Sequence, residues 1–272
     1  VSRRRPDIWG VVNITPDSFS DGGEFFDSRS AVTHAVQMMS EGASVIDVGG
    51  ESTRPGATRV AALEEQSRIL PVITQLATEG IVVSVDTMRA DTARKAVEAG
   101  AAIINDVSGG MADPKMFGVM AEVGCDVVLM HWRGHSLDMD SRASYGNLVT
   151  EVRSELNDRV EAAVGAGIAP ERIILDPGLG FAKDVAQNWE LTANLKNAVP
   201  PGFRVLVGAS RKRFVGSVLA KDHAVTDRDG PSAQLGALLA DQGVWALRVH
   251  NVVRQSEALA LWQAFHQGGS DD

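Results

Sequence analysis

The chain of 272 residues contains a single cysteine, Cys125. No intrachain disulfide can form, and the setting of Cys125 in VGCDVVLM suits a small buried hydrophobe better than a reactive thiol. No run of about 18 apolar residues occurs, so no membrane span is expected. Positive charge is also short: 26 Lys and Arg stand against 35 Asp and Glu, a net charge of −9. That balance disfavours nucleic acid or an anionic membrane as the main partner, because both are held largely by cations. The sequence has no G-x-x-x-x-G-K-[ST] loop, and no G-x-G-x-x-G where a dinucleotide would need one. Behind VSRRRPDIWG there is no apolar segment of secretory type, and no lipidation pattern is present, so a cytoplasmic location is expected.

What the chain does have is a core. Hydrophobic residues make up 44% of it, enough to bury a substantial interior. Eight short β-branched runs recur: IWGVVN, SVIDVG, IVVSVD, AIINDV, DVVLMH, RIILDP, RVLVGAS and WALRVH. Each is continuously apolar until its last residues, as strands of a parallel sheet covered on both faces are. Segments with helical spacing lie between them. In the first, Asp27 or Ser28 is placed to cap, Ala31, Ala35, Val36 and Met39 form one face, and Gly42 ends the helix. Asp113-Pro114 reads as the cap and first turn of another. Leu148, Val152, Leu156 and Val160 form a stripe in a third. Pro71 within RILPVITQL is expected to kink or interrupt its helix. Eight strand-helix units in strict alternation, with no Pro/Ser-rich linker, favour one closed (β/α)₈ TIM barrel of parallel strands, a single domain over residues 1–272. Right-handed crossovers then bring every strand's C-terminal end to one mouth, where the chemistry of this fold collects.

The strand ends carry Asn13, Asp47, Asp86, Asn105, His131, Asp176, Ser210, Arg248 and His250. Two sets separate by chemistry. Asp86, Asn105 and Asp176 offer acceptors and an amide suited to the edge of a flat heterocycle with adjacent N–H donors. Lys212, Arg248, His250 and Asn13 offer cations, donors and a metal-ligand oxygen suited to phosphate. Ion pairing of Asp86 or Asp176 with Lys212 or Arg248, with no ligand, is the plain structural alternative. In GASRKRF, Ser210 is placed to cap a helix whose free N–H groups would receive an anion, and Arg213 reads as a solvated charge. His131 and His135 have the spacing of zinc ligands on a helix, but Gly134 argues against a helix and no third ligand is near.

These segments together resemble dihydropteroate synthase. NITPDSFSDGG, GASVIDVGGESTRPGA, SVDT, INDVSG, LMHW, ILDPGLGFAK, VGASRKRF and RVH occur in the family's order, from about Ile8 to Phe265. One departure is Asn251, where an Asp commonly follows RVH; Asn caps a helix as well as Asp does, so little effect is expected. The resemblance implies condensation of 6-hydroxymethyl-7,8-dihydropterin diphosphate with para-aminobenzoate, giving 7,8-dihydropteroate and diphosphate in folate biosynthesis. It implies a pterin held by Asp86, Asn105, Asp176 and Lys212, and a diphosphate on Asn13, Arg248 and His250, with Mg²⁺ bridging Asn13 and the phosphate oxygens. Para-aminobenzoate would meet Phe19, Thr53, Arg54, Pro55, Phe181, Ser210 and the stem of Lys212, and sulfonamides would compete there. Asp17 and Asp21 would organise the first loop or favour a cationic intermediate, and Gly22 and Gly23 would let that loop move. The family also implies a homodimer, for which apolar residues in SVLA and LWQAF are candidates. Two alternatives are a methyltetrahydrofolate-handling methyltransferase barrel, which would not need ESTRPGA or SRK, and a catalytically silent barrel that binds a pterin or a protein.

Overall fold

A computed structural model describes residues 4–14, 28–51, 60–135 and 139–268. Eight strands, β1 (Asp7–Asn13), β2 (Val45–Gly49), β3 (Val83–Asp86), β4 (Ile103–Asp106), β5 (Asp126–Met130), β6 (Ile173–Asp176), β7 (Arg204–Val207) and β8 (Ala246–Val249), pair in sequence order. All pairs are parallel, and β8 returns to β1, closing the barrel. The expected architecture is the observed one.

Each strand is largely apolar before its polar end because it has two faces to bury, and the period of two sorts its residues between them. Trp9, Val45, Ile103, Val128, Ile174, Leu206 and Ala246 form one cluster, the plug inside the barrel. Their neighbours, such as Ile8, Ile46, Ile104, Val127, Ile173 and Leu247, belong to the larger cluster shared with the helices. Two or four residues further along the plug's face come Asn13, Asp47, Asn105, Asp176 and Arg248, and Asp86 stands two beyond buried Ser84 on β3. The interior therefore changes from hydrocarbon to charge as it rises toward the C-terminal mouth.

The helices depart from expectation in three places. In α1 (Ser28–Ser40) the buried face is Ala31, Val32, Ala35 and Met38, whereas Val36 is exposed. Gly10 on β1 explains this: a Cβ there would stand 2.7 Å from Met38 Sδ, so the glycine makes the slot that Met38 fills. Pro71 does not interrupt α2 (Ala62–Thr78), which continues through it. It lies on the exposed side, where the carbonyl left without its N–H partner can face water. Asp113 does not cap α4 (Met116–Val123); Lys115 is its N-cap, while Asp113 Oδ2 accepts from Ala90 N at 2.9 Å and so serves the start of α3 (Ala90–Glu98). In α5 (Leu148–Gly165) the stripe Leu148, Val152, Leu156 and Val160 is buried as expected. The cap position Asp27 lies outside the described residues. Cys125 is half-buried and unpaired, and burial pushes its thiol pKa up, which suits a packing role. No described helix is long and apolar enough to cross a membrane.

Candidate active site at the barrel mouth

Strand register aligns the first group directly. Asn13 is opposite Gly49, Gly49 opposite Asp86, and Asp86 opposite Asn105, so three polar side chains share one rung with a glycine gap between them. A Cβ on Gly49 would stand 3.4 Å from Asn13 Oδ1 and 3.8 Å from Asp86 Oδ2. The glycine thus keeps open a space faced by an amide oxygen and a carboxylate. Across the barrel, Asp176 ends β6, and its Oδ1 accepts from Gly178 N at 2.7 Å.

Arg248 reaches from β8 into the same cavity. Its Nε donates to Asp47 Oδ2 at 2.6 Å and its terminal nitrogen to Asp86 Oδ2 at 2.7 Å. Asp47 is fully buried, and Asn105 Nδ2 lies 3.3 Å from each of its oxygens. The guanidinium expected to wait for phosphate is therefore engaged deep in the barrel, with one partner, Asp47, to which sequence reasoning gave no role. The signal was present, since Asp47 interrupts an apolar strand, but its partner comes from the last strand.

Burial governs the titration of this cluster. It raises Asp86 to about 7, against the lowering pull of Arg248 and with repulsion from Asp47 added. It raises Asp176 to about 6, against the Gly178 N–H and the charge of Lys212. Lys212 is pushed down to about 8 by burial and by Arg248. Near neutral pH these groups stand close to their midpoints, as groups in functional clefts often do.

The segment after β7 is a turn followed by a short helix, α8 (Arg213–Gly216), and Ser210 does not cap it; the N-cap is Lys212. Instead Ser210 Oγ accepts from His250 N at 3.1 Å and lies 3.1 Å from His250 Nδ1, joining the ends of β7 and β8. Arg211 takes a left-handed φ of 58° and turns away to pair with Asp229, at 2.6 and 2.8 Å. This reversal lets Lys212 face the cavity, where its Nζ stands 4.0 Å from the centre of the Phe181 ring. Arg213 is exposed, as expected. Asn251 caps the last helix, α10 (Val252–Gln267), by accepting from Arg254 N at 3.0 Å; its Nδ2 also donates to Asp229 Oδ2 at 3.0 Å.

His131 and His135 do not form a metal pair. His131 is buried, with Nε2 3.0 Å from Glu155 Oε2 and Nδ1 3.0 Å from Lys183 Nζ, so both ring nitrogens are taken. No cluster of three or more His, Cys, Asp or Glu suited to a metal occurs among the described residues. Beside β3, Arg89 joins Glu51 at 2.7 Å, buried Glu65 at 2.6 Å and the Val60 carbonyl at 2.5 Å. Phe19, Thr53, Arg54, Pro55, Asp17 and Asp21 lie outside the described residues.

A family model described as pterin binding enzyme matches residues 9–250. A dihydropteroate synthase from Mycobacterium leprae is 49% identical over 267 residues, covering 96% of this chain and 94% of that protein. Among solved structures, Xanthomonas albilineans dihydropteroate synthase with 4-aminobenzoic acid superposes with a TM-score of 0.90 at 41% identity, covering 98% and 95% of the two chains. Yersinia pestis dihydropteroate synthase in complex with a sulfonamide drug gives a TM-score of 0.91 at 38% identity, covering 98% and 96%.

Proposed function

From the family to which this chain belongs, the dihydropteroate synthases, we infer that it joins 6-hydroxymethyl-7,8-dihydropterin diphosphate to para-aminobenzoate, releasing diphosphate and 7,8-dihydropteroate. The observation that carries this reading is the polar rung above an apolar plug: Asn13, Asp86 and Asn105 on adjoining strands, with Asp176 and Lys212 across from them. Asp86, Asn105 and Asp176 receive the donor edge of the pterin, and Lys212 meets the ring's acceptor side. The diphosphate takes Asn13, Arg248 and His250, which requires Arg248 to exchange part of its contact with Asp47 and Asp86 for phosphate oxygens. Para-aminobenzoate lies against Phe181, Ser210 and the Lys212 stem, with Phe19, Thr53, Arg54 and Pro55 completing its walls, and sulfonamides compete for that place. Asp17 and Asp21 belong to the first loop beside it.

In the reaction the bond between the pterin methylene carbon and the diphosphate oxygen breaks with its electron pair going to oxygen. The arylamine nitrogen forms the new carbon–nitrogen bond and then loses one proton. A neutral arylamine needs no strong base, so this chain's residues act by alignment and by charge. The residues present fit Mg²⁺: a single amide oxygen, Asn13 Oδ1, faces the space over Gly49, as suits an ion that keeps several waters and takes most of its other ligands from phosphate. When bound, it would neutralise charge on the departing diphosphate. A half-buried, unpaired cysteine is compatible with a reducing compartment, and the proposed place of work is the cytoplasm. The whole chain is proposed as one domain, acting as a homodimer through Val218, Leu261 and Phe265, which are 61, 73 and 77% exposed.

The test is release of diphosphate from the pterin diphosphate, dependent on both para-aminobenzoate and Mg²⁺. Removal of one well-placed charge, in Lys212→Ala or Asp176→Ala, is expected to lower turnover by roughly 10²–10³. Near-normal rates in both would remove these residues from the site.

A further inference from the structure

Lys183 ends the turn that follows β6 and is 7% exposed. Burial pushes its pKa down to about 7, against the pull of Asp176, so the ammonium, with three donors and no acceptor, is the form present below that pH. Here three acceptors surround it, each at 3.0 Å: the carbonyls of Gly178 and Phe181, and Nδ1 of His131. All three donors are thus spent on holding the turn, and none is left for a substrate. His131 is fixed in its own right. Burial, with the charge of Lys183, lowers its pKa to about 4, so the neutral ring accepts at Nδ1 and donates from Nε2 to Glu155, whose carboxylate Arg133 also holds.

The turn that these bonds gather is an unusual one. Gly178, Gly180 and Ala182 have φ of 69, 78 and 46°, three left-handed residues in alternation, and the last carries a side chain. The turn is also pressed from both sides. A Cβ on Gly178 would stand 2.3 Å from the His131 carbonyl oxygen, and one on Gly180 would stand 2.8 Å from Lys212 Cδ. Between those glycines and Lys183 sits Phe181, with Lys212 Nζ over its ring. A conformation of this kind persists only where its surroundings hold it. The holding groups are the ammonium, Asn188, which accepts from Gly180 N at 2.6 Å, and Tyr145, which donates to the Ala182 carbonyl at 2.9 Å.

We propose that Lys183 is a positioning residue for the condensation: by tying the Gly178 and Phe181 carbonyls to His131, it sets the turn against which Phe181 and Lys212 are aligned. The inference rests on the function given above. It assigns work to a buried amine whose hydrogen bonds go to the chain itself, and to the histidine at the end of β5.

The experiment compares the parent with Lys183→Met, which keeps the length of the side chain and removes its donors. Steady-state kinetics are measured at a temperature where both are folded. A displaced turn is expected to lower kcat by about 10²-fold and raise KM for para-aminobenzoate about 10-fold, with KM for the pterin diphosphate changed less than about threefold. Hydrogen exchange is read on the same proteins, and amides in residues 177–183 are expected to lose protection while β6 keeps its own. His131→Gln, which retains an acceptor within reach of Nζ, should keep most of the activity that His131→Leu loses; if Lys183→Met does not fold, this pair carries the comparison. Kinetic constants within about twofold of the parent, or unchanged exchange in the turn, would overturn the proposal. An inactive parent would instead defeat the functional reading, and the exchange data would still decide whether Lys183 holds the turn.

Discussion

Replacing Arg248 by methionine removes the guanidinium that joins Asp47 to Asp86, at 2.6 and 2.7 Å, and leaves two buried carboxylates facing one another. Breaking a buried ion pair from one side costs about 3–5 kcal/mol, because the remaining charge keeps its desolvation cost and loses its partner. For a chain of this size that corresponds to a fall in Tm of roughly 6–20 °C. The pH dependence makes the test sharper. In the parent, burial raises Asp86 to about 7, above its unfolded value. Its contribution to stability is therefore complete at low pH and is lost as pH rises through 7. Arg248 pulls that pKa down, so in the variant it moves higher, and the loss continues above pH 7 after the parent's has ended. The deficit should widen by up to about 1.4 kcal/mol per pH unit in that range. Urea unfolding of both proteins at pH 6.0 and 8.5 measures this. A deficit under about 1 kcal/mol at pH 8.5, or one equal at the two pH values, would refute the claim that Arg248 neutralises the buried pair.

Three other outcomes are expected. With Asp86 raised to about 7 and Asp176 to about 6, the carboxylates proposed to accept from the pterin ionise across this range, so kcat/KM for the pterin diphosphate should still be rising at pH 7 and should fall above pH 8 as Lys212, pushed down to about 8, loses its proton; a flat profile from pH 5.5 to 9 would contradict their role. Gly178→Ala places a Cβ 2.3 Å from a backbone oxygen at a φ of 69°, and a loss of at least about 2 kcal/mol is expected in thermal unfolding. Asn251→Asp keeps the cap of α10 but replaces the Nδ2 donor to Asp229 by a second carboxylate, so a loss of about 1–2 kcal/mol is expected although Asp caps a helix as well as Asn does. An unchanged melt in that variant would show that the contact with Asp229 contributes nothing.

Asn251 marks the limit of reasoning from residue type. Its capping role follows from the preference of Asn and Asp for helix starts, and the structure agrees. That it also donates to Asp229, a carboxylate held below its usual range by Arg211 and Asn251 against the effect of burial, depends on a helix 22 residues earlier. Lys212 and Arg211 are a second case. Both are cations in one short run, and only the left-handed backbone at Arg211 decides that one pairs with Asp229 while the other faces the cavity. Ser210 differs for the same reason, since a cap there requires the helix to begin at Arg211, and it begins two residues later, at Arg213. Lys183 gave no signal beyond its place in ILDPGLGFAK, because a buried lysine is recognisable only from the acceptors around it.

The sequence by itself determined the eight strands, their order and their polar ends. These rest on periodicity and on the chemistry of single residues, which act over a few positions of chain. It also marked, through Asp86, Asn105, Asp176 and Lys212, the residues that the mouth would display. The tertiary structure decided which charges meet. Asp47 and Arg248 are 201 residues apart, and nothing local joins them. Closure of β8 onto β1 brings them together, and the exclusion of water inside the closed barrel then shifts their neighbours' pKa values and gives the pairing its strength.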